Sequence, residues 1–250
     1  MPTGKQGPAA FLLLVDEFNL TASKVKETTK KISAMQEKSD GLGDEWEAHT
    51  PTGKKKGEFS AGGGYFDTTL VSGSHIALSA DPAAATPQQV SRIVTVCFAG
   101  NLLGMVCDSF EGAYQHSYEV IATREELQKA NAEYLISGQH DEGVVLQILE
   151  AKTADWDTES TPVDNAASSA NGGVAYQHIT AYSGFSGFIG SVRDSPNDIT
   201  YGELVAFDDA TAIEAQRKTV AGTVERYVAF KGDVTGTGSI TVFCGFSRNE

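Results

Sequence analysis

Gly172–Glu250 reads GGVAYQHITAYSGFSGFIGSVRDSPNDITYGELVAFDDATAIEAQRKTVAGTVERYVAFKGDVTGTGSITVFCGFSRNE. Short runs rich in Val, Ile, Thr, Tyr and Phe alternate with clusters of Gly, Asp, Asn and Pro, which is the pattern of an antiparallel β-sandwich. The runs predict strands over Val174–Tyr182, Gly187–Arg193, Ile199–Phe207, Gln216–Val220, Val224–Lys231 and Ser239–Phe246. Successive side chains of a strand point to opposite faces. Val224, Arg226 and Val228 thus separate from Glu225, Tyr227 and Ala229, and Ile240, Val242 and Cys244 from Thr241 and Phe243. One face of each strand can bury while the other stays wet. The clusters Asp194–Asp198 and Asp233–Gly238 hold residues that pre-set turn dihedrals or accept positive φ, so both read as hairpin connections. Nothing in the stretch sets a nucleophile beside a base.

The bulk composition agrees with a β-rich globular chain. Its 250 residues suffice for one large or two small domains, 40% are hydrophobic, and 26 glycines favour many turns. No run reaches the roughly 20 apolar residues of a membrane helix, and Ala9–Val15 reads as a first strand rather than a signal peptide. Cys97, Cys107 and Cys244 are an odd count without metal spacing, and read as small core fillers in a reduced compartment. A net charge of −14 excludes binding of nucleic acid through a basic surface. The acidity suits solubility, and equally a protein that must let DNA pass without sticking.

Along the chain, Phe11–Val15 predicts a strand and Phe18–Lys38 leans to a polar strand through its β-branched content. Glu58–Leu70 reads as strand, glycine pivot and strand, and Ile93–Phe98 as a buried strand. Arg124–Tyr134 predicts the one helix, capped by Thr123 with Glu126 three residues on, its apolar face being Leu127, Ala130 and Tyr134. Polar Ala154–Gly173 reads as a linker or long loop. The expected layout is an N-terminal β domain over 1–153 with the helix at 124–134, a connection over 154–173, and a C-terminal β-sandwich over 174–250. The order of parts around Phe98–Leu146 is echoed between Tyr182 and Val242, which raises an internal duplication into two related tandem β domains. Three copies would then give a pseudo-sixfold ring.

The sequence offers no catalytic, cofactor-binding or metal residues. The five histidines are scattered, Ser186 lacks the flanking glycine and following His of a nucleophile elbow, and Gly53-Lys54 lacks a P-loop. Gln139-His140-Asp141-Glu142 reads first as a hairpin turn and only second as a metal site. For interaction, the glycine-flanked loop Asp40–Gly57 is the candidate, through Asp40, Asp44, Glu45, Trp46, Lys54, Lys55 and Lys56.

The runs FNLTASKVKE (Phe18–Glu27), DGLGDEWEAHTPTGKKKGEFSAGGGYFD (Asp40–Asp67), KANAEYLISGQHDEGVVLQ (Lys129–Gln147), VAYQHITAYSGFSGFIGSVRDSPNDITYGELVAFDD (Val174–Asp209) and AQRKTVAGTVERYVAFKG (Ala215–Gly232) resemble tail tube (major tail) proteins of long-tailed bacteriophages. That resemblance implies a β-sandwich of tail-tube type with one packed helix, no enzymatic activity and no cofactor. It also implies self-association into trimeric or hexameric rings that stack around a DNA-conducting lumen. Other tail proteins such as terminator and tape measure would be partners, DNA would pass without specific binding, no membrane would be involved, and the protein would reside in the virion after assembly in the host cytoplasm. Loop Asp40–Gly57 would then carry ring stacking, with Lys54–Lys56 meeting acidic patches of a neighbour. Two other readings stand beside it. A capsid decoration protein would use the same sandwich without stacking, and a carbohydrate-binding or adhesin module would need Trp46, Tyr65, Tyr182, Phe185 and Phe188 on one exposed face.

Overall fold

The computed structural model describes residues 11–21, 27–38, 49–69, 73–79, 91–137 and 140–249. In chain order its elements are β1 (Leu12–Val15), β2 (Phe18–Asn19), β3 (Glu27–Lys38), β4 (His49–Tyr65), α1 (Ser74–Ser79), β5 (Arg92–Cys97), β6 (Val106–Ile121) and β7 (Lys129–Ile136). They continue as β8 (His140–Lys152), β9 (Trp156–Asp157), β10 (Val163–Asp164), β11 (Gly173–Ser195), β12 (Gly202–Ala206), β13 (Glu214–Val220) and β14 (Tyr227–Arg248). The fold is mainly β and antiparallel, as the alternation implies. Two compact units interleave along the chain: 1–22, 92–111 and 140–250 form one, 23–91 and 112–139 the other. The expected boundary at 154–173 therefore falls inside the larger unit. The stretch, expected as a linker or long loop, is mostly irregular, and within it β9 and β10 both pair with β14.

The larger unit is built on β11 and β14, of 23 and 22 residues, paired along their whole length. β12 and β13 follow one another along the other edge of β11. β13 ends with Val220 opposite Gly173, while β14 starts with Tyr227 opposite Ser195, so Ala221–Arg226 joins the two ends of β11. Six residues and their flanking bonds reach roughly 20–25 Å, whereas a straight strand of this length would span roughly 75 Å. The β11–β14 pair must therefore coil back on itself, and that closes a two-layered β core. Register shifts near Ile179, Ser183 and Phe185 do the bending, as expected where bulges insert unpaired residues and raise the twist. Gly184 (φ +82°) and Gly236 (φ +95°) sit in this bend in the left-handed region. Asp233–Gly238, expected as a hairpin, is thus the bent middle of one strand, whereas Asp194–Asp198 does lead from β11 into β12.

The closure puts thirteen-residue neighbours of one strand in contact: a Cβ on Gly190 would collide with the Gln177 side chain and come within 2.9 Å of the Phe230 ring. Between the halves lie Ala175, Ile179, Phe185, Phe188 and Val192 of β11 with Val228, Phe230, Ile240, Val242, Cys244 and Phe246 of β14. Trp156 lies on this core, stacked on Phe188 at 5.6 Å and 3°, with its indole N–H donating to Gln147 Oε1 at 2.8 Å. Leu12, Leu14, Cys97, Cys107, Val145 and Phe243 form a second apolar cluster in the same unit. The first seven residues of β11, Gly173–Ile179, are consequently buried without alternation, as strands covered on both faces are. All three cysteines are buried thiols, and the adjacent Cys107 together with burial pushes the Cys97 thiol far above its ordinary range.

The smaller unit is a four-stranded sheet in the order β3, β4, β7 and the second part of β6. Here the sequence expectation fails, since Lys129–Ile136 is a strand and Arg124–Gln128 precedes it as an irregular connection. Ala130, Ala132 and Tyr134 are buried at period two between β4 and β6, and Leu127 of the expected helix face is 67% exposed. The helix that does form is α1, whose Ser74 hydroxyl donates to the Tyr65 carbonyl at 2.5 Å and whose Leu78 carbonyl accepts from Gln115. His75 adds a 2.8 Å hydrogen bond to the Tyr118 hydroxyl.

Candidate interaction surface

β4 pairs with β7 from Gly57 onward, but with β3 as far as Lys38 opposite His49. Among the described residues, Ser33–Lys38 and His49–Lys56 therefore pair only with each other, as a two-stranded ribbon running past the edge of the four-stranded sheet. An isolated two-stranded ribbon is marginal in water, and stable pieces of sheet need a third strand or a packed apolar face. Near its base Ile32 and Met35 are 41% and 43% exposed. Lys54, Lys55 and Lys56 are exposed on the facing strand. Of the seven residues expected to mediate contacts, these three fall together on the ribbon, while Asp40, Asp44, Glu45 and Trp46 lie outside the described residues.

Lys56 ties the lysine run to the sheet. The Lys56 ammonium lies 2.5 Å from a Glu58 oxygen and holds that carboxyl below its usual range, with Lys31 at 3.8 Å as a lesser partner. Glu58, Lys31, His116 and Glu133 line a cavity of about 250 Å³ whose lining includes Phe59 and Tyr134. His116 Nε2 is 3.4 Å from Glu133. No sequence spacing announced this group, because strand register alone brings residues 58, 116 and 133 together.

The larger unit carries three polar arrangements. His178 is fully buried, its Nδ1 2.7 Å from the Asp16 carbonyl and its Nε2 2.8 Å from the Thr95 hydroxyl. A carbonyl only accepts, so Nδ1 carries the proton, Nε2 accepts from Thr95, and Thr95 in turn accepts from Ser109 at 2.9 Å. Burial pulls the imidazole down to about 4, against a smaller upward pull from the Asp16 carbonyl. In a second arrangement Tyr176 donates to Asp141 and receives Arg217 Nε at 3.1 Å, while Arg217 also meets Glu111 at 2.9 Å. Burial, then the Asp141 carboxylate, raises the Tyr176 phenol above its ordinary range. Third, Asp108, His140 and Glu142 bring their ligand atoms within 4.8 Å of one another.

The aromatic platform needed for sugar binding does not form from the expected residues. Phe185 is 6% exposed and Phe188 is fully buried, both inside the β11–β14 core.

No protein-family model matches the chain, and no curated protein matches it. Among solved structures, it is similar to a chain in the virion of a native gene transfer agent particle, with 11% identity over 55% of this chain and 98% of that one, TM-score 0.41. It is similar to a chain of an extracellular contractile injection system sheath–tube complex in the extended state, with 15% identity over 58% and 95%, TM-score 0.40. It is also similar to the Dit protein of phage SPP1, with 12% identity over 94% and 98%, TM-score 0.34. At these identities and TM-scores the likenesses assign neither a family nor a function to the chain.

Proposed function

We propose that this chain is a structural protein of a phage virion, the major tail tube subunit, which polymerises into stacked rings around the channel that DNA traverses during ejection. The observation that carries the reading is the β3–β4 ribbon. It leaves the four-stranded sheet with exposed Ile32, Met35 and Lys54–Lys56, and a second copy is the occupant that would order it. A chain of net charge −14 supplies acidic surface on every neighbour for those lysines. The same acidity would keep DNA from adhering to an inner wall. The protein acts in this reading as a building element and not as a catalyst, with itself and other tail proteins such as terminator and tape measure as partners.

Removing residues 44–56 should leave a cooperatively folding subunit that no longer polymerises, and the triple change K54E/K55E/K56E should weaken assembly most strongly at low salt. Light scattering of the three proteins across concentration and salt tests this. Polymers of normal size from the deleted chain would refute the role of the ribbon.

A further inference from the structure

The second reading of Gln139–Glu142 is taken up by a residue distant in sequence. Asp108 lies directly across from Glu142 and Phe110 across from His140 in the β6–β8 register, so Asp108, His140 and Glu142 share one face of the two strands. His140 Nε2 is 2.6 Å from Asp108 Oδ1, and the ring is stacked on Phe110 at 5.1 Å. Asp108 is 4% exposed and Glu142 is exposed, so one carboxylate is fixed in the protein while the other can adjust. Val106 lies opposite Val144, and Val144 opposite Phe246, which extends the same face to Arg248. There a cavity of about 370 Å³ is lined by Val106, Glu142, Val144, Asn165 and Arg248.

We propose that Asp108, His140 and Glu142 bind a divalent first-row transition ion of the zinc class. One imidazole and two carboxylates are a mixed nitrogen and oxygen set suited to such ions. Calcium wants six to eight oxygens, and three side chains with one nitrogen serve it poorly. The three ligand atoms already lie within 4.8 Å of one another. Ligand bonds of about 2.0–2.2 Å set tetrahedral donors roughly 3.3 Å apart. Binding therefore needs the 2.6 Å pair to open by less than about 1 Å, with the imidazole proton moved to Nδ1 so that the Nε2 lone pair meets the ion. This site stands independently of the assembly proposed above.

The test uses the full chain without a histidine tag, stripped with a chelator, then titrated calorimetrically with zinc, manganese or calcium chloride. Zinc should bind one to one and raise the thermal midpoint by several degrees, as any ligand of the folded state does, and calcium should bind at least roughly tenfold more weakly. Glu142→Gln removes only an exposed ligand and should weaken zinc by roughly tenfold or more while leaving the metal-free midpoint unchanged. His140→Gln should abolish the visible absorption of the cobalt-substituted protein. Lack of saturable zinc binding, calcium binding as tight as zinc, or zinc binding that survives either substitution unchanged would overturn the assignment.

Discussion

Phe188→Ala should lower the unfolding free energy by about 3–5 kcal/mol, the usual cost of emptying a fully buried aromatic position. Phe188 has no exposed surface, Trp156 stacks flat against its ring, and its backbone N–H and carbonyl both bond to Ala210. The position lies just past the bend of β11, where the coiled pair closes on its core. Loss of the ring removes apolar burial and also the aromatic pair with Trp156, worth about 0.5–1.5 kcal/mol by itself. Ile199→Ala is the control, because Ile199 is 80% exposed beyond the end of the same strand, and should change stability by no more than about 0.5 kcal/mol. Urea unfolding of the three proteins measures both. A loss under about 1 kcal/mol for Phe188→Ala would mean that β11 does not coil back as described.

Acidification should destabilise the protein through His178 by an amount of similar size. The buried imidazole sits at about 4 in the folded chain against 6.5 for the ordinary side chain, and about 1.4 kcal/mol accompanies each unit of difference. Between those values the unfolded chain binds the extra proton, so stability rises with pH there. The contribution is complete above about pH 6.5 and is lost progressively as pH falls toward 4, to a total of about 3 kcal/mol. The cause is local: protonation would bury a charge and force Thr95 to turn its hydroxyl away from Nε2. His178→Gln removes the titration, so subtracting its stability profile from that of the parent between pH 7.5 and pH 4 isolates the effect from the carboxylates. A parent and variant with parallel profiles would contradict it, as would an NMR titration of His178 with a midpoint near 6.5.

The alternation in Gly172–Glu250 made the strands readable and put Val228, Val242 and Cys244 on buried faces, but Ala229 and Phe243 of the opposite faces are buried as well, so the expected wet faces do not hold there. The bend was not readable, because Gly184 and Gly236 serve a bulge through the same positive φ that they would serve in a turn. Only the short closure over Ala221–Arg226 decides between the two. Arg124–Tyr134 misled for a related reason: Leu127, Ala130 and Tyr134 satisfy a helical face, yet Ala130, Ala132 and Tyr134 also satisfy a strand, and pairing on both sides by β4 and β6 settles it. The helix α1 carries too few residues to leave a periodic signal. The interleaving of the two units was hidden because β6 supplies one part to each. Of the sites, Lys54–Lys56 were visible as a charge run. His178 looked like one more scattered histidine, and Asp108 could join His140 and Glu142 only through the β6–β8 register.

The central claim is self-assembly into a hollow tube, and negative-stain electron microscopy of the purified protein at several concentrations tests it most directly, with light scattering giving the mass of the smallest species. The account predicts stacked rings or hollow tubes built from a trimeric or hexameric unit, lengthening with concentration. Monodisperse monomers, or isolated trimers that never stack at any concentration, would contradict it.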